Sequence, residues 1–354
     1  MSKAAELAAL IGSGQAQGNR NLIINGAMNV AQRGTVTGAI QDSFGGPDRY
    51  KISESGATVF TMSQDSDTPA GEDFANSLKL DVTTEDSSLA AGDVASVVYN
   101  FEGQDLQRIK KGTSSAESVT LCFYIKTTIT GTYVVQLYDN DNNRNVSKSY
   151  TVSSANTWEK KTITFPADTT GAFDDDNALS LLIRWWFSAG TTYTSGTLAT
   201  TWESYNTANA AVGQVNAVNS TDNNIFLTGI QLEIGEVATA FEHEDFGTTL
   251  RKCQRYFWKP ASLGWGGQYV NSNTNVTFIY PYPVPMRATP ATSAAGGFKF
   301  NKPGVAGNVT ATYGSNEKIS NEALAVNYAS ASTNGDYGDT AIVSVGDISI
   351  SAEL

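Results

Sequence analysis

From residue 19 onward the chain carries no helical period. Apolar residues recur at every second position in short runs, separated by clusters of Asn, Asp, Gly, Ser and Thr. Such alternation marks half-buried strands. Many strands with no helices between them point to a sandwich rather than an α/β fold. In SVTLCFYIKTT, Val119, Leu121, Phe123 and Ile125 share one face, and Thr120, Cys122, Tyr124 and Lys126 the other. TYVVQLYDNDNNRNVSKSYTVS reads as a hairpin around a polar turn at 139–145. WEKKTITFP is a strand ended by Pro166. LSLLIRWWF sets Leu179, Leu181, Ile183, Trp185 and Phe187 against Leu182, Arg184 and Trp186, so one of the two tryptophans should be the less buried. IFLTGIQLEIG is the last strand of this region.

The two ends differ from this pattern. In MSKAAELAALIGSGQAQGNR, Leu7, Leu10 and Ile11 recur at helical spacing, and GSGQAQG has linker composition. Residues 1–18 are therefore expected to form a short helix and linker that either docks the chain or frays as a tail. Residues 19–246 form the large β region. Beyond it, YPYPVPMRATPA packs four prolines between 281 and 290, which excludes helix. FKF, VTATY, ALAVNYAS and AIVSVGDISISAEL read as short strands. Residues 247–354 are thus expected to form a second, smaller β-sandwich; the alternative is that they add strands to one larger domain.

Charge and composition narrow the chemistry. The net charge of −12 argues against a nucleic-acid partner and against an anionic membrane surface, both of which need clustered Lys and Arg. No apolar run approaches the length of a membrane span. Cys122 and Cys253 cannot make a disulfide framework and read as two core thiols. A single histidine, His243, disfavours a Ser-His-Asp hydrolase, and with two cysteines it disfavours a zinc site.

Asp139, Asp141 and Asn143 begin like a calcium loop, but the sixth position is Arg144 instead of Gly and the twelfth is Tyr150 instead of Glu. A solvated hairpin turn is the better reading. Asp174, Asp175 and Asp176 are a denser acidic cluster, either a solvated loop or a weak calcium candidate. No nucleophile elbow, phosphate loop or dinucleotide turn is present, and a glycosidase carboxylate pair leaves no mark in sequence spacing. A binding protein is expected, without catalysis. Sugars present C–H faces that stack on aromatic rings. The aromatic candidates are Trp186 and Trp202 in the large region, and Trp258, Trp265, Tyr269, Tyr280 and Tyr282 in the second. The competing roles are core packing for the first pair and subunit contact for the others. Arg33 and Arg49 read as structural charge partners.

Several segments carry a family resemblance: NLIINGAMNVAQRGT with GGPDRYKIS; YNFEGQDLQRIKKGTSSAESVTLCFYIKT; GTYVVQLYDNDN; WEKKTITFPADTTGAFDDDNALSLLIRWWFSAG; and IFLTGIQLEIGEVATAFEHEDFGTTLRKCQRYF. Together, over residues 19–258, they resemble a jelly-roll module of tail-fibre and other virion proteins of bacteriophages, especially marine ones. The resemblance implies an all-β chain: a jelly-roll, galactose-binding-like β-sandwich, then a smaller C-terminal β-sandwich, behind a short N-terminal helix. It places a first strand at 21–25 beside the last at 225–233. It also implies a homotrimeric, non-enzymatic appendage of the virion that meets host polysaccharide, with residues 1–18 touching other virion proteins. A structural calcium often accompanies such modules; no ligands for one can be named. A decorating fibre on capsid or neck, a free carbohydrate-binding module and a depolymerase are the alternatives.

Overall fold

The computed structural model describes residues 19–39, 42–260, 265–271, 275–295, 298–301, 309–330, 340–344 and 347–354. The expected helix and linker of residues 1–18 lie outside them. The chain divides into two compact units between Thr249 and Leu250, with Leu354 grouped with the first.

The first unit is a two-sheet sandwich. Its strands are β1 (Val36–Ala39), β2 (Ser43–Phe44), β3 (Tyr50–Ser55), β4 (Val59–Asp65), β5 (Ser77–Thr84), β6 (Val94–Glu102), β7 (Val119–Thr127), β8 (Gly131–Asp139), β9 (Arg144–Val152), β10 (Glu159–Phe165), β11 (Leu179–Ala189), β12 (Glu203–Ser204) and β13 (Asn224–Ile234), with a one-turn helix α1 (Thr191–Thr194) after β11. One sheet has the order β1-β4-β5-β13-β7-β10. The other, of seven strands, has the order β12-β9-β8-β11-β6-β3-β2. All pairs are antiparallel.

Alternation decides which side chains face inward. Val119, Leu121, Phe123 and Ile125 of β7 meet Leu181, Ile183, Trp185 and Phe187 of β11 in one continuous core. Phe123 and Trp185 touch edge to face across it, with ring centroids 6.0 Å apart. The expected hairpin is β8–β9, with Asp139 opposite Arg144. Cys122 and Cys253 are buried thiols, neither of them in a disulfide. Among the described residues no helix is long and apolar enough to cross a membrane.

Residues 21–25 lie beside β13 as expected, but not as a strand. Residues 24–27 form a turn in which Asn25 has a φ of 62°. The segment is held by Leu22 N–H donating to Leu232 O (2.9 Å), Ile230 N–H to Gly26 O (3.0 Å), and the Asn21 side chain bonding both Ile230 O and Leu232 N–H. The backbones come so close that a Cβ at Gly26 would stand 2.1 Å from Ile230 O. Gly26→Ala should therefore lower the unfolding free energy by about 1–3 kcal/mol, the usual cost of forcing atoms into a packed site. Urea denaturation checks this; an unchanged midpoint would mean that the segment is free to move aside.

The second unit begins within helix α2 (Phe246–Gln254), which spans the division. It continues with β14 (Phe257–Trp258), β15 (Trp265–Asn271), β16 (Asn275–Pro281), β17 (Ala291–Ala295), β18 (Phe298–Asn301), β19 (Val309–Ile319), β20 (Ala323–Ser330), β21 (Thr340–Ser344) and β22 (Asp347–Ser351). Strands β15-β16-β20-β19-β18-β21 close into a barrel, and β14-β22-β17 form a short sheet. A β architecture was expected here, as a sandwich. The barrel arises because β15 pairs with β21, a closure that removes exposed edges and that no local pattern records. The proline-rich stretch after β16 is a loop, with Pro281 as the last strand residue.

Candidate functional site

In the seven-stranded sheet, the residues that alternate with the core positions point away from it, and their registers place them in rows. One row runs Ser147, Gln136, Arg184, Val98, Lys51 across β9, β8, β11, β6 and β3. The next runs Asn145, Tyr138, Leu182, Asn100. A third has Trp186 beside Ser96 and Ser53. An outward row usually carries solvated polar groups. Here Gln136, Asn145 and Asn100 are 2%, 0% and 4% exposed.

The cover comes from the chain after β11. Residues 190–211 fold back over the β8–β9 side of the sheet. Ser147 N–H donates to Ala199 O (2.7 Å) and Ser147 Oγ to Ala210 O (2.8 Å). Tyr205 N–H donates to Asn143 O (2.9 Å), and the Tyr205 ring meets Tyr138 edge-on at 5.0 Å. Tyr193 lies 5.3 Å from Trp186, which also packs with Val94, Val134, Ala210 and Ala211. Trp185 and Trp186 are consequently both fully buried. The expectation that one tryptophan would be less covered fails because a second apolar cluster forms outside the sheet. Trp186 has no ring face left for a ligand.

On this outward face, buried polar atoms have no hydrogen-bond partner among the described residues: Arg184 Nε, Gln136 Nε2, both amide atoms of Asn145, Asn100 Oδ1 and Trp186 Nε1. Asn100 Nδ2 does donate, to the backbone oxygen of Leu354 (2.8 Å). Each buried polar atom left unpaired costs about 1–3 kcal/mol, so these atoms call for partners from outside the chain, water or ligand. Burial lowers the Arg184 pKa, against the opposing pull of Tyr205, Tyr193 and Asp42. Burial raises Tyr205, with Arg184 opposing it, and raises Tyr138, where Asp139 adds to burial and Arg184 opposes. Both phenols therefore stay neutral and able to donate. The groups gathered here are amides, a guanidinium and phenols, which bind and orient polar ligands.

The outer face of the six-stranded sheet is built differently. Lys126 pairs with Asp67, which also accepts from Trp158 Nε1 (2.9 Å), and Lys126 Nζ stands 4.4 Å over the Phe226 ring. Those charges are paired within the fold.

Trp202 donates Nε1 to Pro166 O (2.8 Å), packs against the main core and faces Lys111 Nζ at 5.2 Å, which makes it a structural ring. In the second unit Trp258, Tyr280 and Tyr282 are buried, and Trp258 meets Tyr282 edge-on at 5.8 Å. The side chains of Trp265 and Tyr269, on β15, lie outside the described residues.

Asp174, Asp175 and Asp176 are all exposed. Asp176 accepts from Ala178 N–H, while Asp174 N–H donates to Asp141. Among the described residues no three His, Cys, Asp or Glu side chains gather to hold an ion. A cation cage exists nearby and holds the ammonium of Lys111. Its Nζ lies 2.5 Å from Asp139, 3.1 Å from Asp168, and 2.9 and 2.7 Å from the carbonyls of Thr170 and Gly171. Arg33 and Arg49 are close to aromatic rings, Phe44 and Tyr99 respectively, and Arg49 Nη2 also donates to Asn100 O (2.7 Å).

No known protein family matches the sequence, and no curated protein matches it. Solved structures do. The enzymatically active domain of tailspike protein 4 of bacteriophage CBA120 aligns over 61% of this chain with 15% identity and a TM-score of 0.33; the match spans 21% of that tailspike chain. A CBM4 structure aligns over 59% of this chain and 97% of its own, with 13% identity and a TM-score of 0.30. The family 11 carbohydrate-binding module of the Clostridium thermocellum cellulase Lic26A-Cel5E gives 59% and 98%, with 14% identity and a TM-score of 0.30.

Proposed function

We propose that the outward face of the seven-stranded sheet binds a polysaccharide and does not cleave it. The observation that carries this is the set of unpartnered amide and guanidinium atoms on the rows of Arg184 and Tyr138, flanked by the half-buried rings of Tyr138, Tyr193 and Tyr205. A polyhydroxy chain offers a donor and an acceptor at each hydroxyl and a C–H face for each ring, so it suits both halves of the site. The bond-breaking alternative needs paired carboxylates flanking the scissile bond, whereas none of the residues on these two rows is a carboxylate.

In this proposal the chain is part of a phage appendage, a homotrimer that reaches the host surface. Its support is the sequence resemblance over residues 19–258. Labelling of purified virions and light scattering of the full chain check location and assembly; a species of 37.6 kDa alone would contradict the trimer.

For binding, Tyr138→Ala with Tyr205→Ala should weaken affinity for host-surface polysaccharide about five- to hundredfold, since ring-to-sugar contacts and their hydrogen bonds are together worth on the order of 1–3 kcal/mol. Affinity electrophoresis of the folded variant reads this directly. Unchanged retardation, with Trp258→Ala and Tyr282→Ala abolishing it, would move the binding surface to the second unit.

A further inference from the structure

The proposed face has at its centre a cation that forms no ion pair among the described residues. Strand β11 is the middle strand of the seven, and Arg184 is the middle member of its row. Among the described residues the Arg184 guanidinium makes no hydrogen bond and no ion pair. It lies over the Trp186 ring, 4.9 Å from the centroid, and that contact leaves its N–H edges uncommitted. The carboxylate that acts on it through space, Asp42, is already paired with Lys51 at 3.1 Å. Arg184 is half-buried; holding an unpaired cation partly away from water has a cost, and a counter-charge that arrives with a ligand offsets it. The neighbours of Arg184 belong to the same design: Gln136 Nε2 in its row and both amide atoms of Asn145 in the next are buried and unpartnered.

Resting on the polysaccharide reading above, we infer that the ligand is acidic: a polysaccharide bearing a carboxylate or sulfate ester, whose oxyanion sits on the half-buried Arg184 guanidinium while its sugar rings meet the half-buried rings of Tyr138, Tyr193 and Tyr205. A guanidinium offers two parallel N–H donors to such a group, which fixes orientation as well as charge. In a chain of net charge −12 this attraction is local. Long-range repulsion opposes an anionic polymer, so binding depends on this one desolvated contact and on salt that screens the rest.

The test is titration calorimetry of the full chain with polygalacturonate, alginate and hyaluronate, each beside its carboxyl-reduced counterpart, and with dextran sulfate beside dextran. At least one acidic polymer should bind tenfold or more tightly than its neutral counterpart. Arg184→Gln should bring the two within about twofold of each other, and Arg184→Lys, which keeps the charge and loses the fork, should retain part of the preference. A preference in the uronates alone assigns the oxyanion to carboxylate, and one in dextran sulfate alone to a sulfate ester. Neutral polymers binding as tightly as acidic ones, or a preference that survives Arg184→Gln in a variant of unaltered melting temperature, would overturn the inference and leave the polysaccharide reading standing. Binding by none of these polymers, nor by host-surface polysaccharide, would overturn both.

Discussion

Lys111→Met is expected to destabilise the sandwich by about 3–5 kcal/mol, the cost of stripping one partner from a buried ion pair. Lys111, Asp139 and Asp168 are 4%, 0% and 6% exposed. One ammonium neutralises both carboxylates and also bonds Thr170 O and Gly171 O, which fastens the loop before Phe173 to the end of β8. Arg144 adds two contacts to Asp168, at 2.8 and 3.1 Å. Methionine would fill the volume and leave two buried negative charges with only Arg144 near them. Urea denaturation reads the loss, and a change below about 1 kcal/mol would show that water reaches the cage. Adding Asp139→Asn to Lys111→Met should recover part of it, because the uncompensated charge carries the penalty. The same network sets an acid limit. Burial alone would raise the Asp168 pKa, but the Arg144, Thr170 and Lys111 hydrogen bonds outweigh it, and the group sits below its ordinary value. A depressed folded pKa contributes stability that is present above the unfolded value of about 4 and is lost as pH falls through the folded one. The stability of the wild type should fall in that acid window, and that of Asp168→Asn should fall less.

Trp186→Ala should also cost about 3–5 kcal/mol, in the range for deleting a large buried ring. The ring is fully buried in the cluster that seats residues 190–211 on the sheet. Loss of binding in this variant would follow from release of that cover and would not show ring-to-sugar contact. Trp186→Phe separates the two. It keeps most of the apolar contact, so thermal melts should show a loss of no more than about half that of Ala, with binding largely kept. A Phe variant that folds well yet loses all affinity would show that the indole itself meets the ligand.

Much of the first unit was legible because its signal is local. Alternation in β7, β8, β9, β11 and β13 identifies the inward face residue by residue, and the core uses those faces. The polar turn with Asn140, Asn142 and Asn143 between β8 and β9 marks the hairpin. What escaped depends on distant parts of the chain. Trp186 is covered by residues 190–211, and nothing in the alternation of β11 reports that an outward face will be roofed. The Lys111 cage joins residues from positions 111, 139, 168, 170 and 171. Barrel closure in the second unit depends on a pairing between strands some seventy residues apart. For the site, Arg184 carried a usable signal, a charged residue between Leu182 and Trp186 on an otherwise apolar strand. Aromatic rings are a weaker guide to a binding face, because rings are more often core than contact.

The central claim is where the polysaccharide lies and that it leaves intact. Hydrogen-exchange mapping of the full chain, with and without a bound acidic polysaccharide, tests both when the polymer's reducing ends are counted in the same sample. Protection should gather on 134–147, 182–188 and 193–205, with the count of reducing ends unchanged. Protection confined to residues 250–353, or reducing ends that rise with time, would contradict it.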